Sequence, residues 1–94
     1  MKVNVTLLDI SRGERHSPTS CPIALAVRRA LRGTPGVSVS VGTKAVDIQQ
    51  STLIESPRLP PIARRFIKKF DGRGVVEPFS FELGAAEEGT DGTR

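Results

Sequence analysis

The residues best able to do chemistry are concentrated between Arg12 and Cys21. This stretch holds Arg12 and Arg15, the single histidine His16, the hydroxyls of Ser17, Thr19 and Ser20, and the single cysteine Cys21. Pro22 follows at once. A polar residue followed by proline marks a helix start, because the first turn does not need the N–H that proline lacks. A helix N-terminus presents free backbone N–H groups and the positive end of the helix dipole, which suits a phosphate or a carboxylate. Arg12, Arg15, His16, Ser17, Ser20 and Cys21 are therefore the candidate anion-holding residues. The simpler reading is that Ser20 or Cys21 caps the helix and the arginines only decorate a loop. No glycine-rich phosphate motif decides between the two.

Cys21 carries a second possibility. At a helix start near arginines its thiolate is stabilised, and His16 lies close upstream, so a Cys/His dyad is conceivable. No carboxylate or amide stands at a spacing that would orient the histidine. A small cysteine filling core space is the reading placed first.

A basic cluster is the third feature. In LPPIARRFIKKFDG, Leu59, Ile62, Ala63, Phe66, Ile67 and Phe70 recur at helical spacing, while Arg64, Arg65, Lys68 and Lys69 fall on the other face. In CPIALAVRRALRG, Arg28, Arg29 and Arg32 oppose an apolar arc and have Leu25 among them. Together the two faces could form one cationic surface for a polyanion, with Arg28, Arg64, Arg65 and Lys68 supplying longer-range attraction. Charged outer faces are also the ordinary condition of amphipathic helices. Leu25 among the arginines hints at a protein contact.

The elements that must position these groups follow from periodicity. Met1 to Ile10 alternates as a half-buried strand whose end is covered near Leu8 and Ile10. A polar loop leads to the Cys21 helix, which Gly33 and Pro35 end. Val37, Val39 and Val41 alternate, Gly42-Thr43 suits a type II′ turn, and Val46 and Ile48 return. That turn pairs Val39 with Val46 and Val37 with Ile48. Residues 49–58 link to the second helix, with Leu53 and Ile54 pinned to the core. The segment from Glu77 to Leu83 is a last strand, with Phe79, Phe81 and Leu83 inward. The order β-α-β-β-α-β predicts an α+β two-layer sandwich, ferredoxin-like, with a four-stranded sheet and two helices on one face. RNA-recognition domains share this order but stack bases on exposed aromatics, and here every phenylalanine faces inward. The polar sheet face, with Asn4, Thr6, Ser38, Ser40 and Ser80, is open to a second subunit.

Composition narrows the function further. The 94 residues are 37% hydrophobic, with four Phe and neither Trp nor Tyr. One domain over 1–84 is expected, followed by a disordered acidic tail over 85–94. The chain has 14 Lys and Arg against 10 Asp and Glu, a net charge of +4. Without residues 87–94 it keeps 13 basic and 7 acidic side chains, a balance of +6 that favours an anionic partner. One cysteine and one histidine close neither an intrachain disulfide nor a four-ligand zinc site, and no cofactor is expected. No run approaches the roughly 20 apolar residues of a membrane span, and no signal-peptide pattern opens the chain, so a soluble cytoplasmic protein is expected.

Three motifs belong together: CPIALA at residues 21–26, LPPxAxxFIxxFDG at 59–72, and PFxFEL at 78–83. With the first strand they cover most of the chain, and they resemble small proteins of unassigned function from bacteriophages and related bacterial elements. The resemblance transfers no active site. It implies an accessory or counter-defence role in the host cytoplasm, such as a nucleotide-sequestering sponge or a direct inhibitor.

The combined expectation is a non-enzymatic module that captures a phosphate-bearing ligand, a nucleotide signal or nucleic acid. An inhibitor of a host protein is the alternative, and a cysteine-dependent enzyme ranks below both. A homo-oligomer is compatible with each.

Overall fold

Alternation of Val3 and Val5 with Lys2 and Asn4 builds strand β1 (Lys2–Val5) in the computed structural model, which describes residues 1–34, 36–50 and 54–84. The strand stops well short of Ile10, correcting the expected first element. Thr6 ends it and caps a short helix, α1 (Leu7–Arg12). The Thr6 hydroxyl accepts from the Asp9 N–H at 3.2 Å, and the Asp9 carboxylate accepts from the Thr6 N–H at 2.8 Å. This reciprocal capping box satisfies two donors that would otherwise be unpaired. The capping box, Thr6-Leu7-Leu8-Asp9, was present in the sequence but hidden by the hydrophobic alternation running through it. Leu7 and Leu8 consequently stand exposed on α1, whereas Ile10 packs against the core.

Asp9 is buried, 4% exposed. Helix α2 (Pro22–Ala30) supplies its counter-charge. Arg29 Nη1 and Nη2 donate to the two Asp9 oxygens, each at 2.7 Å, and Nη2 also donates to the Asn4 carbonyl at 2.7 Å. Burial alone would raise the Asp9 carboxyl, but the hydrogen bonds from Arg29 and Thr6 outweigh it and hold the group below its ordinary value. One guanidinium thus ties α1, α2 and β1 together.

The valine alternation forms the predicted hairpin, β2 (Ser38–Val41) with β3 (Val46–Gln49). Its register differs from expectation: Val41 faces Val46 and Val39 faces Ile48. Gly42 pairs with Ala45, its N–H donating to that carbonyl at 2.9 Å, so the turn proper is Thr43-Lys44. Gly42 is not left-handed, which removes the type II′ turn. A shift of two residues keeps every side chain on its expected face, so the buried valines are unaffected. A two-residue strand, β4 (Ile54–Glu55), adds to β3. Ile54 is 71% exposed, so it does not pin the linker as predicted, and Leu53 lies outside the described residues. Leu59 anchors that segment instead: its side chain is buried and its N–H donates to the Lys44 carbonyl at 2.9 Å.

Helix α3 (Pro61–Asp71) opens on prolines and buries Ala63, Phe66 and Phe70, while Ile62 stays largely exposed. The last strand, β5 (Phe79–Glu82), pairs antiparallel with β1, and Met1 and Leu83 extend the ladder. The chain is α+β, but its strands form two antiparallel sheets, β1-β5 and β2-β3-β4, rather than one sheet of four. Helix α2 packs against both β1 and β2 and so joins the two sheets. Its Ile23, Ala24, Ala26 and Val27 are almost fully buried, as the predicted arc requires, and α3 adds to the same core through Phe66, whose ring meets Phe79 at 4.8 Å. The predicted acidic tail over 85–94 lies outside the described residues.

Replacing Arg29 by Ala leaves a buried carboxylate unpaired. The expected loss is about 2 kcal/mol in urea unfolding at neutral pH, below the roughly 3–5 kcal/mol of a fully buried pair. The discount reflects the Arg29 side chain, which is 38% exposed. Because the folded Asp9 value lies below the ordinary 3.8, the pair's contribution is complete above that pH and fades as acid protonates the folded carboxyl. The stability curves of wild type and Arg29→Ala should therefore converge in acid. A constant gap down to the lowest pH would show that the pair is not the source.

Candidate functional site

Ser17-Pro18-Thr19-Ser20 folds tightly ahead of α2. The Ser17 hydroxyl accepts from the Ser20 N–H at 3.1 Å, and the Ser17 carbonyl accepts from the Cys21 N–H at 3.0 Å. Gly13 lies against the Pro22 ring, where a Cβ would collide with Pro22 Cδ, so glycine is needed at this crossing. Cys21 is the N-cap, its sulfur accepting from the Ala24 N–H at 3.4 Å. Pro22 has no N–H, and the Leu25 N–H donates to the Cys21 carbonyl at 3.0 Å. Of the donors expected to hold an anion at this helix start, the Ala24 N–H is thus taken by the Cys21 sulfur.

The same arrangement settles the condition of the thiol. Burial pushes Cys21 up from its ordinary value against the Ala24 and Ile23 N–H groups, and the Asp71 carboxylate adds to the rise. Cys21 is only 8% exposed. A neutral, buried thiol is a weak nucleophile.

His16 occupies the left-handed region with φ 59 and is held there by α3. Its backbone N–H donates to Asp71 Oδ1 at 3.0 Å, and its Nδ1 lies 3.7 Å from Asp71 Oδ2. The side chain itself is 74% exposed. Arg15 lies over the Phe70 ring, 5.4 Å from its centroid, a cation–π contact that fixes the loop to α3.

Between this loop, the β2-β3 turn and α3 lies a cavity of about 280 Å³. His16, Ser17 and Cys21 line it beside Val41, Thr43, Phe66, Ile67, Phe70 and Asp71. Next to it runs a wider groove of about 710 Å³, lined by His16, Thr43, Lys44, Arg64, Lys68 and Asp71 among others. A third depression, about 440 Å³, lies against Arg65, Lys69, Ile62 and Val75. The basic face of α3 is therefore divided: Arg64 and Lys68 serve one groove, and Arg65 and Lys69 another, as the helical repeat of four dictates.

The predicted site residues separate accordingly. His16, Ser17 and Cys21 meet at the cavity, and Arg64 and Lys68 join His16 in the groove beside it. Arg12, Arg15, Ser20 and Arg28 line none of the three. Arg28 instead donates to the Thr19 carbonyl, and Arg29 is neutralised by Asp9. By these contacts the basic residues fall into groups, Arg28 and Arg29 held by the chain itself and the α3 cations divided between two depressions. Thr43, Lys44 and Asp71 were not expected at a site. Thr43 reads as a turn residue and Lys44 as the start of the returning strand, and only tertiary folding carries them together with Asp71.

Among the described residues no three of His, Cys, Asp and Glu gather as a metal site would need, and no helix is long and apolar enough to cross a membrane. No protein family, curated protein or solved structure matches the chain.

A buried cap should protect its thiol. Modification of Cys21 by a disulfide reagent is expected to be slow in the native protein and fast in denaturant. Cys21→Ala, which loses the cap, should cost about 1 kcal/mol, and Cys21→Ser should recover most of it. Equal native and denatured labelling rates would contradict the buried cap.

Proposed function

We propose that this chain is a non-enzymatic binding protein that captures a phosphate-bearing ligand. The observation that carries the reading is the groove between α3 and the β2-β3 turn, where Lys44, Arg64 and Lys68 converge with His16. Asp71 is the one acid among its lining residues, and its carboxylate is already engaged by the His16 backbone. Three cations in one concave site, with the opposing charge held, suit a compact anion such as a phosphate of a nucleotide or nucleic acid. The buried Cys21 thiol with its raised pKa supports binding over cysteine catalysis. The phage-type motifs support a counter-defence setting in the host cytoplasm, with the protein acting as a nucleotide sponge.

With the short α1 and β4 set aside, the element order β1-α2-β2-β3-α3-β5 and the β1–β5 ladder support a ferredoxin-like arrangement opened between its two sheets. A second reading, an inhibitor of a host protein, is favoured by the apolar side chains left in water: Leu7 at 68% and Leu8 at 56% exposure on α1, and Val75 at 84%. These surfaces also suit a second copy of the chain.

Calorimetric titration with pyrophosphate and with mononucleotides at low salt tests the leading reading. Binding should weaken steeply with salt, and Arg64→Ala or Lys68→Ala should each lower affinity about tenfold, as expected for losing one charge-assisted hydrogen bond. Heat changes absent from every titration would refute phosphate capture. A stoichiometric protein complex that survives high salt would favour the inhibitor instead.

A further inference from the structure

The cationic groove and the apolar cavity adjoin, with His16, Thr43, Ile67 and Asp71 lining both. Beyond that shared rim the chemistry changes. Pro22, Ile23, Val41, Phe66 and Phe70 line the cavity, and each of them is buried. The Phe66 and Phe70 rings are nearly parallel, 6° between their planes with centroids 5.9 Å apart, so that wall is aromatic. At about 280 Å³ the cavity falls just below the size that takes drug-sized ligands, leaving room for one ring system.

We propose that the ligand is a phosphate monoester that carries a flat ring, with the ring in the cavity and the phosphate held by Lys44, Arg64 and Lys68. The inference rests on the reading that the groove takes phosphate, and adds what the phosphate must carry. An inorganic anion answers the cations but leaves the apolar cavity unfilled. A neutral ring fills the cavity but leaves the cations without a partner. A molecule with both parts satisfies the two chemistries at once. Aryl phosphates and nucleotides both have this form. They differ in the ring edge: a nucleobase needs hydrogen-bond partners, and the polar side chains available, Ser17, Thr43 and Asp71, lie with His16 on the loop, the turn and the end of α3.

Methyl-labelled protein titrated at low salt with inorganic phosphate, phenyl phosphate and adenosine 5′-monophosphate provides the test. At least one ring-bearing probe should bind about ten- to a hundredfold tighter than inorganic phosphate, the gain expected from burying one aromatic ring. Ring currents from that probe should move the methyl resonances of Ile23 and Val41. A preference for phenyl phosphate identifies an apolar ring, and a preference for the nucleotide identifies a base; both support the proposal. If inorganic phosphate binds and is weakened by Lys68→Ala, but a ring adds less than tenfold or leaves those methyls unmoved, the ring is overturned while phosphate capture stands. If no probe binds, both fall.

Discussion

The bidentate contact between Arg29 and Asp9 is the constraint on which the rest of the architecture depends. Alone, the Asp9 carboxylate at 4% exposure would be a costly buried charge, whereas the Arg29 side chain keeps 38% of its surface in water. Paired, they lock α1 onto α2, and the additional bond to the Asn4 carbonyl locks both onto β1. Helix α2 then has a fixed orientation from which to cover β1 and β2, one strand from each of the two sheets, which share no ladder among the described residues. Without a continuous sheet, the helix and its buried Ile23, Ala24 and Val27 take over the task of joining the halves.

The position of α2 in turn fixes its N-terminal loop. Gly13 passes close to Pro22, Val41 donates its N–H to the Pro18 carbonyl at 2.8 Å, and His16 is bound to Asp71 at the end of α3. These three contacts bring the loop, the hairpin turn and α3 around one depression. The helix start itself is closed by Cys21. The cations gathered in the groove are the side chains of Lys44, Arg64 and Lys68 rather than the backbone N–H groups of α2.

Much of the fold was legible locally. The alternation of Val39, Val41, Val46 and Ile48 identified the hairpin and its buried face even though the turn was misplaced, because a shift of two residues conserves facing. The spacing of Ala63, Phe66 and Phe70 gave the buried stripe of α3. Helix α1 was obscured because Val3, Val5 and Leu7 continue the strand pattern across the Thr6 cap. The exposed Ile54 and Ile62 show the same limit: periodicity says which face a residue occupies, not whether anything covers it.

The candidate site divides along the same line. Residue types and helical repeats were enough to pick out His16, Cys21, Arg64 and Lys68, since capping and amphipathicity act within a few residues. They could not foresee that Arg29 would be consumed by Asp9 or that Lys44 and Asp71 would face one groove. Those outcomes depend on contacts between residues 20 to 55 positions apart, such as Arg29 with Asp9 and His16 with Asp71. What the sequence determined by itself was which segments are helix or strand and which of their faces are apolar or basic. Which charges remain free to meet a ligand was decided only by the tertiary structure, because pairing and burial are properties of neighbours that the chain brings together by folding.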